Sequence, residues 1–175
     1  MNAEAQELIA RLGLEPLPQE GGFFRQTWVS AERLASGRAA GSAILFLLTA
    51  ENFSALHRLE TDELWHFCAG DPVEHVQFDP RERSARRVRL GPEVPADAAQ
   101  LIVPGKVWQG ARLAEAEAAV AATASPSRGA FRRGWALLSC TLTPAWDERE
   151  FTLGRRDELT RAFPKQAALI AALTR

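Results

Sequence analysis

Hydrophobic and polar positions alternate in short stretches through the middle of the chain, between residues 23 and 143. Apolar and polar residues roughly alternate in the stretches ELWHFC, VEHVQF and ARRVRL, which is typical of half-buried β-strands. SAILFLLT (42–49) is apolar at both kinds of position, which predicts a central strand covered on both faces. Turn residues such as those of DPRER separate the stretches. The pattern therefore indicates an antiparallel β architecture.

A helical pattern marks both ends of the chain. Residues 2–12 carry an apolar stripe, with Asn2 placed to cap the helix and Gly13 placed to end it. RDELTRAF and PKQAALIAAL predict two more helices near the C terminus, the second beginning with proline in its tolerated first turn. Short strands framed by helices predict a mainly β fold, a jelly-roll barrel or sandwich.

One segment breaks the strand pattern. Residues 114–134 are rich in Ala and Glu and then in Ser, Pro, Gly and Arg, which predicts an insertion between two strands or a mobile loop. The chain of 175 residues otherwise has the length of one domain, 1–175.

Composition narrows the class of protein. A net charge of −1 gives no general attraction to nucleic acid or to an anionic membrane, and no apolar run has the length of a membrane span. The N-terminal segment is acidic and amphipathic, unlike a signal peptide. Cys68 and Cys140 do not form a disulfide framework, so reduced thiols are expected. These features predict a cytoplasmic, soluble protein.

The candidate chemistry is concentrated in HRLETDELWHFCAG (57–70). Alternation places Glu63 and Trp65 on one face of a strand and His66 on the other. If the preceding strand joins this one through ETD, His57 can meet Glu63 at the mouth of a barrel. A histidine and a carboxylate there can ligate a metal or act as an acid–base pair, and a hydrogen bond that closes a hairpin is the alternative. His75, in VEHVQF, is interpreted as an ordinary strand position.

The spacing resembles that of the cupins, whose first motif is G-x5-H-x-H-x3–4-E-x6-G. His57, Glu63 and Gly70 match it, and VPGKVWQGA (103–111) resembles the second motif, P-x-G-x2-H-x3-N. The order of EGGFFRQTW, SAILFLLTAENFSALHRLETDELWHF and CTLTPAWDEREFTL is similar to that of a small cupin family of undefined biochemical function. The resemblance covers residues 8–175 apart from 114–134, and it implies a cupin-type barrel that forms a homodimer.

Two positions depart from the cupin metal set. Leu59 stands where the second histidine of the first motif is expected, and Gln109 stands where the second motif has its histidine. His57 and Glu63 remain, and a neutral amide oxygen is a poor ligand beside imidazole. The resemblance thus implies either no cofactor or a weakly bound divalent metal held by His57, Glu63 and Gln109.

Other residues are candidates for a ligand pocket, since metal-free barrels bind ligands with aromatic walls and a few polar groups. Trp65 and Trp108 lie on strands that are expected to be neighbours in the cupin topology. Arg25 can bind a carboxylate or phosphate, with a surface ion pair as the alternative. Asp147 belongs to a segment that closes one end of the barrel in the resembled family, and a solvated turn is its simpler interpretation.

Three functions are consistent with these residues. The first is a metal-independent isomerase, epimerase or lyase acting on a small polar molecule, sugar-like or anionic. In it His57 acts as acid or base, Glu63 assists and Arg25 anchors an anionic group. The second is a weak-metal cupin with metal-assisted chemistry. The third is a sensor or storage protein that binds a ligand without turnover.

Overall fold

The structure is a computed structural model that describes residues 1–115 and 133–175. Most of the elements in both ranges are strands, and the helices lie near the two ends of the chain. In chain order the elements are α1 (Ala3–Leu12), β1 (Glu15–Pro16), β2 (Phe23–Val29), β3 (Ser42–Thr49), β4 (Ser54–Arg58), β5 (Glu63–Gly70), β6 (Val73–Asp79), β7 (Ser84–Leu90), β8 (Gln100–Val103), β9 (Trp108–Leu113), β10 (Trp135–Leu142), β11 (Thr152–Leu153), α2 (Arg156–Ala162) and α3 (Ala167–Ala172), with short 3-10 turns at Glu148–Glu150 and Pro164–Gln166.

The strands form two antiparallel sheets that enclose an apolar core. One sheet has the order β1-β2-β3-β10-β5-β8 and the other the order β11-β4-β9-β6-β7. Side chains from both sheets meet in the core, among them Phe46, Trp65 and Leu138 from the first sheet and Val73 and Ala111 from the second. The predicted mainly β jelly-roll fold is confirmed, and β3 is a central strand as its apolar sequence indicates.

Helices cover the outer faces of both sheets. Helix α1 packs on the six-stranded sheet, where Leu47 and Trp135 contribute to an outer apolar cluster. Helices α2 and α3 pack on the five-stranded sheet and bury Leu56, Val76 and Phe78 of β4 and β6. Strands β4 and β6 of the second sheet therefore have a covered face on each side, which decides where their polar residues point.

The N-terminal helix forms as its sequence predicts. The Asn2 side chain accepts a hydrogen bond from the Ala5 amide at 2.9 Å. Gly13 ends the helix in the left-handed region with a φ of 59°, a conformation that costs glycine little because it has no Cβ.

The connection between β4 and β5 differs from the expected hairpin. Strand β4 pairs with β9 and β11, whereas β5 pairs with β10 and β8. Residues 59–62 consequently cross from one sheet to the other. His57 and Glu63 lie on opposite walls of the barrel because of this crossing.

The turn between β5 and β6 holds chain segments that are distant in sequence. The Asp71 carboxylate accepts hydrogen bonds from the amides of Arg133 and Gly134 at 2.9 and 2.7 Å. The Pro72 carbonyl accepts one from the Ala114 amide at 2.8 Å. The predicted insertion at 114–134 lies mostly outside the described residues, but both of its ends are attached to this turn.

In the part of the chain that the structure describes, no helix combines the length and the apolar character needed to cross a membrane.

Candidate functional site

Polar side chains line part of the inner face of the five-stranded sheet. His57 of β4 is directly opposite Gln109 of β9, which in turn is opposite Gln77 of β6. Alternation places these side chains on the same face as Ala111 and Val73, which belong to the core between the sheets. The three polar residues thus form a row across the barrel interior, and all three are buried.

Glu63 reaches this row from the opposite sheet. Its Oε2 accepts hydrogen bonds from Gln109 Nε2 at 2.6 Å and from Trp65 Nε1 at 3.1 Å. Trp65 Nε1 also donates to Gln109 Oε1 at 3.0 Å. Because an indole N–H can only donate, it fixes the amide of Gln109 with its oxygen toward Trp65 and its nitrogen toward Glu63.

The buried position of Glu63 changes its acidity. Burial raises the pKa of the Glu63 carboxyl to about 7, and the charge of Glu20 adds to this rise. The hydrogen bonds from Gln109 and Trp65 lower the pKa in part, as does a positive charge on His57 whenever its imidazole is protonated. Near neutral pH the carboxyl is therefore protonated in a large fraction of molecules. Since both donors point to Oε2, the proton belongs on Oε1.

His57 is held in one tautomer. Its Nδ1 is 2.8 Å from the Ala55 carbonyl oxygen, which only accepts, so Nδ1 carries the hydrogen and Nε2 keeps the lone pair. The imidazole ring stacks on Phe151 with 5.3 Å between ring centroids and is 2% exposed. Nε2 makes no hydrogen bond with the described residues, so it is the basic atom of the site.

Glu20 is a second carboxylate beside this histidine. Its Oε1 lies 4.0 Å from His57 Nδ1 and accepts a hydrogen bond from the Ser54 hydroxyl at 2.7 Å. The sequence gives little signal for this role, because Glu20 lies in a connector rich in Pro and Gly. The hydrogen bond from the Ala55 amide to the Glu20 carbonyl also brings the connector against β4.

His75 also lies inside the barrel, contrary to its interpretation as an ordinary strand position. It is completely buried, and its ring meets the edge of Trp65 at 4.9 Å between centroids. Neither ring nitrogen has a hydrogen-bond partner of good geometry among the described residues. Burial lowers the pKa of His75 to about 3, although the nearby Gln109 amide opposes this shift. His75 is thus neutral at physiological pH.

The structure does not bring Trp108 into this cluster. Trp65 and Trp108 were expected on neighbouring strands, but β5 and β9 belong to different sheets. Trp108 is on the outer face of β9, packed against the cluster beneath α2 and α3, and the guanidinium of Arg58 lies 4.9 Å from its ring centroid.

Arg25 and Asp147 also lie apart from the cluster. Arg25 is exposed on the outer side of the six-stranded sheet, near the Gly13 end of α1. Asp147 caps a 3-10 turn and binds Arg149 through both carboxylate oxygens. The segment that contains Asp147 does close this end of the barrel, but it does so with Phe151, which covers His57.

His66 faces outward, as alternation predicts. Its Nδ1 contacts the Ser139 carbonyl oxygen at 3.4 Å, and its Nε2 lies 2.6 Å from Gln100 Nε2.

The donor set does not fit a metal ion held by His57, Glu63 and Gln109. The Gln109 amide oxygen is occupied by the Trp65 N–H, and the Gln109 nitrogen faces the carboxylate oxygen that a metal would share. Within residues 1–115 and 133–175, no group of three or more His, Cys, Asp or Glu side chains is arranged to hold a metal ion. The arrangement is a hydrogen-bonded network in which the N–H groups of Trp65 and Gln109 both donate to Glu63.

Two surface cavities lie away from this network. One, of about 480 Å³, is lined by residues that include Trp28, Glu32 and Thr141. The other, of about 330 Å³, includes Asn52 and Arg112. Neither is lined by the residues of the network, which lies in the barrel interior.

Comparison with known proteins identifies the family. Residues 6–154 match the model of the Cupin superfamily (DUF985), so the chain belongs to this family. No functionally curated protein matches the chain.

Solved structures agree with this assignment. A hypothetical protein from Leishmania major is 32% identical, with a TM-score of 0.80 over 97% of this chain and 98% of that one. A protein from Shewanella oneidensis is 27% identical, with a TM-score of 0.81 over 100% of this chain and 98% of that one. A dTDP sugar isomerase from Desulfovibrio desulfuricans shares 19% identity and a TM-score of 0.52 over 89% and 87% of the two chains, a likeness of fold alone.

Proposed function

We propose that this cupin binds a small polar ligand in its barrel and catalyses a metal-independent proton transfer of the isomerase or epimerase type. The observation that carries the proposal is the pairing of a neutral buried acid with an oriented base. Glu63 has a pKa raised to about 7, and the Nδ1 hydrogen of His57 is fixed by the Ala55 carbonyl so that Nε2 is basic. Groups with these protonation states can exchange protons with a substrate at neutral pH.

The proposed step uses both groups at once. His57 Nε2 removes a proton from a hydroxyl-bearing carbon next to a carbonyl group. The electron pair of that C–H bond forms the C=C bond of an enediol, and the π pair of the carbonyl group moves to its oxygen. The Glu63 Oε1 proton passes to the carbonyl oxygen. Returning a proton from His57 to the carbon skeleton, and one from the enediol to Glu63, completes an isomerisation or an epimerisation.

Neighbouring groups would assist each partner. The carboxylate of Glu20, 4.0 Å from Nδ1, would stabilise the imidazolium that His57 becomes. The hydrogen bonds from Trp65 and Gln109 would stabilise the Glu63 carboxylate after it has lost its proton. These contacts lower the energy of the charged pair, which forms only during the reaction.

Solvent-deuterium exchange tests this proposal. The protein is incubated in D2O with a panel of aldoses, ketoses and their phosphorylated forms, and deuterium incorporation is read by mass spectrometry in the presence of EDTA. We expect incorporation into at least one compound. Glu63→Gln and His57→Asn should each lower its rate about 10²- to 10⁴-fold, the usual contribution of a positioned acid or base.

Glu60→Gln is the matched control, because Glu60 lies in the same crossing segment but pairs with Lys106 at the surface. Its exchange rate should match that of the wild type. Exchange that survives His57→Asn, or that disappears with EDTA and returns with a divalent metal, would contradict the proposal. A compound that binds without any exchange would instead favour a non-enzymatic binding protein.

A further inference from the structure

The edge strand β7 carries three arginines that differ in their partners. Arg87 is 3.3 Å from a carboxylate oxygen of Glu74, and Arg89 is 2.8 Å from one of Asp97. The Arg86 side chain makes neither an ion pair nor a hydrogen bond with any described residue. A guanidinium without a carboxylate partner is available to an external anion, and its planar fork suits phosphate or carboxylate.

The register of β7 places Arg86 on the inner side of its sheet. Val88 and Leu90 on the same strand contact the core between the two sheets. Because side chains two residues apart point to the same face, Arg86 shares the face of Val88. Arg86 is directly opposite Gln77 on β6, the last member of the polar row. The row therefore extends over four strands, from Arg86 through Gln77 and Gln109 to His57.

The charges along this row are unequal. The carboxylates of Glu20 and Glu63 lie near His57, at one end. The positive charge of Arg86, at the other end, is close enough to disfavour protonation of His75. Between them, Gln77 donates one N–H to the Ile102 carbonyl oxygen at 3.3 Å and keeps a second N–H for another acceptor. An anionic group is thus favoured at the Arg86 end.

We propose that Arg86 and Gln77 form an anion subsite at the rim of the barrel, which holds a phosphate or carboxylate group of the ligand. This inference rests on the proposed function for the other end of the ligand, where His57 and Glu63 act. Three strand spacings separate the backbones of Arg86 and His57, about 14 Å. The ligand is therefore an elongated molecule with an anionic group at one end and a carbonyl or hydroxyl-bearing carbon at the other.

Titration of the isotope-labelled protein with inorganic phosphate tests the subsite without any turnover. Amide shifts of residues around Gln77 and Arg86 should saturate with phosphate, and acetate in a parallel titration distinguishes phosphate from carboxylate recognition. Arg86→Gln should weaken binding of the preferred anion about tenfold, the loss expected for one charge-assisted hydrogen bond. His57→Asn should leave this binding unchanged.

Two matched controls distinguish anion binding at the subsite from a general effect of positive surface charge. Arg87→Gln removes the neighbouring charge on the opposite face of β7, and Arg25→Gln removes an exposed charge from the other sheet; neither should weaken binding. Equal weakening by Arg86→Gln and Arg87→Gln, or no saturable shift with either anion, would overturn the subsite. Loss of deuterium exchange with intact anion binding would overturn only the proposed function, so the two failures are distinguishable.

Discussion

Along β4 and β6, the two faces of the five-stranded sheet are both buried, yet they have opposite characters. The outer face packs Leu56, Val76 and Phe78 against the C-terminal helices. The inner face carries His57, His75, Gln77 and Gln109 in the barrel interior, where the other sheet is mostly apolar.

One face provides stability, and the other provides the reactive groups. Burial of the apolar outer face stabilises the fold through the hydrophobic effect and close packing. Burial of the polar inner face costs free energy unless hydrogen bonds replace those to water. His75 lacks such hydrogen bonds among the described residues, so the interior retains at least one group that stability alone does not explain.

The largest expected effect concerns His75 and acid. Its folded pKa of about 3 lies below the usual value of 6.5, so the unfolded chain binds a proton that the folded protein excludes. Stability should therefore fall as the pH decreases from 6.5 to about 3, by about 5 kcal/mol in total from this group. In His75→Leu this loss should be absent, as measured by urea unfolding across that range. Acid sensitivity equal to that of the wild type would contradict the buried neutral histidine.

A packing substitution on the outer face should have the next largest effect. Phe78 is fully buried and stacks on Phe163 with 5.2 Å between centroids. Phe78→Ala should lower the free energy of unfolding by about 4 kcal/mol because it leaves a cavity. Gln77→Ala, one position away on the inner face, should cost far less in the same urea titration. A similar loss in the free energy of unfolding for both variants would contradict the distinction between the two faces.

Glu63 provides a third test with the opposite pH dependence. Its folded pKa of about 7 exceeds the usual 4.5, so the folded protein keeps a proton that the unfolded chain releases. The stability contributed by the neutral carboxyl is fully present below pH 4.5 and is lost as the pH rises through 7, about 3 kcal/mol in total. Glu63→Gln should abolish this loss. Between pH 4.5 and 6.5 the Glu63 and His75 contributions oppose each other, so the two variants should deviate from the wild type with slopes of opposite sign.

Alternation along single strands correctly predicted which side chains of β5 point into the barrel. The spacing of Glu63 and Trp65 put both side chains in the interior, and the cupin resemblance identified His57 and Gln109. These residues form one hydrogen-bonded or electrostatically linked group. The fold class, the capped N-terminal helix and the outward position of His66 could also be predicted, because each depends on local pattern.

The remaining features depend on which sheet a strand joins. Alternation is the same whether β4 and β5 form a hairpin or cross between sheets. It therefore could not show that β4 and β5 cross, and the predicted hairpin was wrong. Trp108 was expected in the pocket, but it is half-buried against the C-terminal helices, because the outer face also needs apolar residues. The helices also cover Val76 and Phe78 on the outer face of β6, so alternation along this strand places His75 on the inner face. Cytoplasmic location and the homodimer stay predictions.

The turn at Asp71 and Pro72 has a consequence for engineering. It fixes the residues on both sides of the segment 116–132. The turn is distant from the site, because seven residue steps along β5, about 23 Å, lead from Glu63 to Gly70. The cost of closing a loop grows only slowly with its length. Because the same turn holds both flanking residues, a linker that joins them has only a short distance to span, and a fluorescent reporter or an affinity tag inserted beside the turn would attach to a fixed point of the barrel.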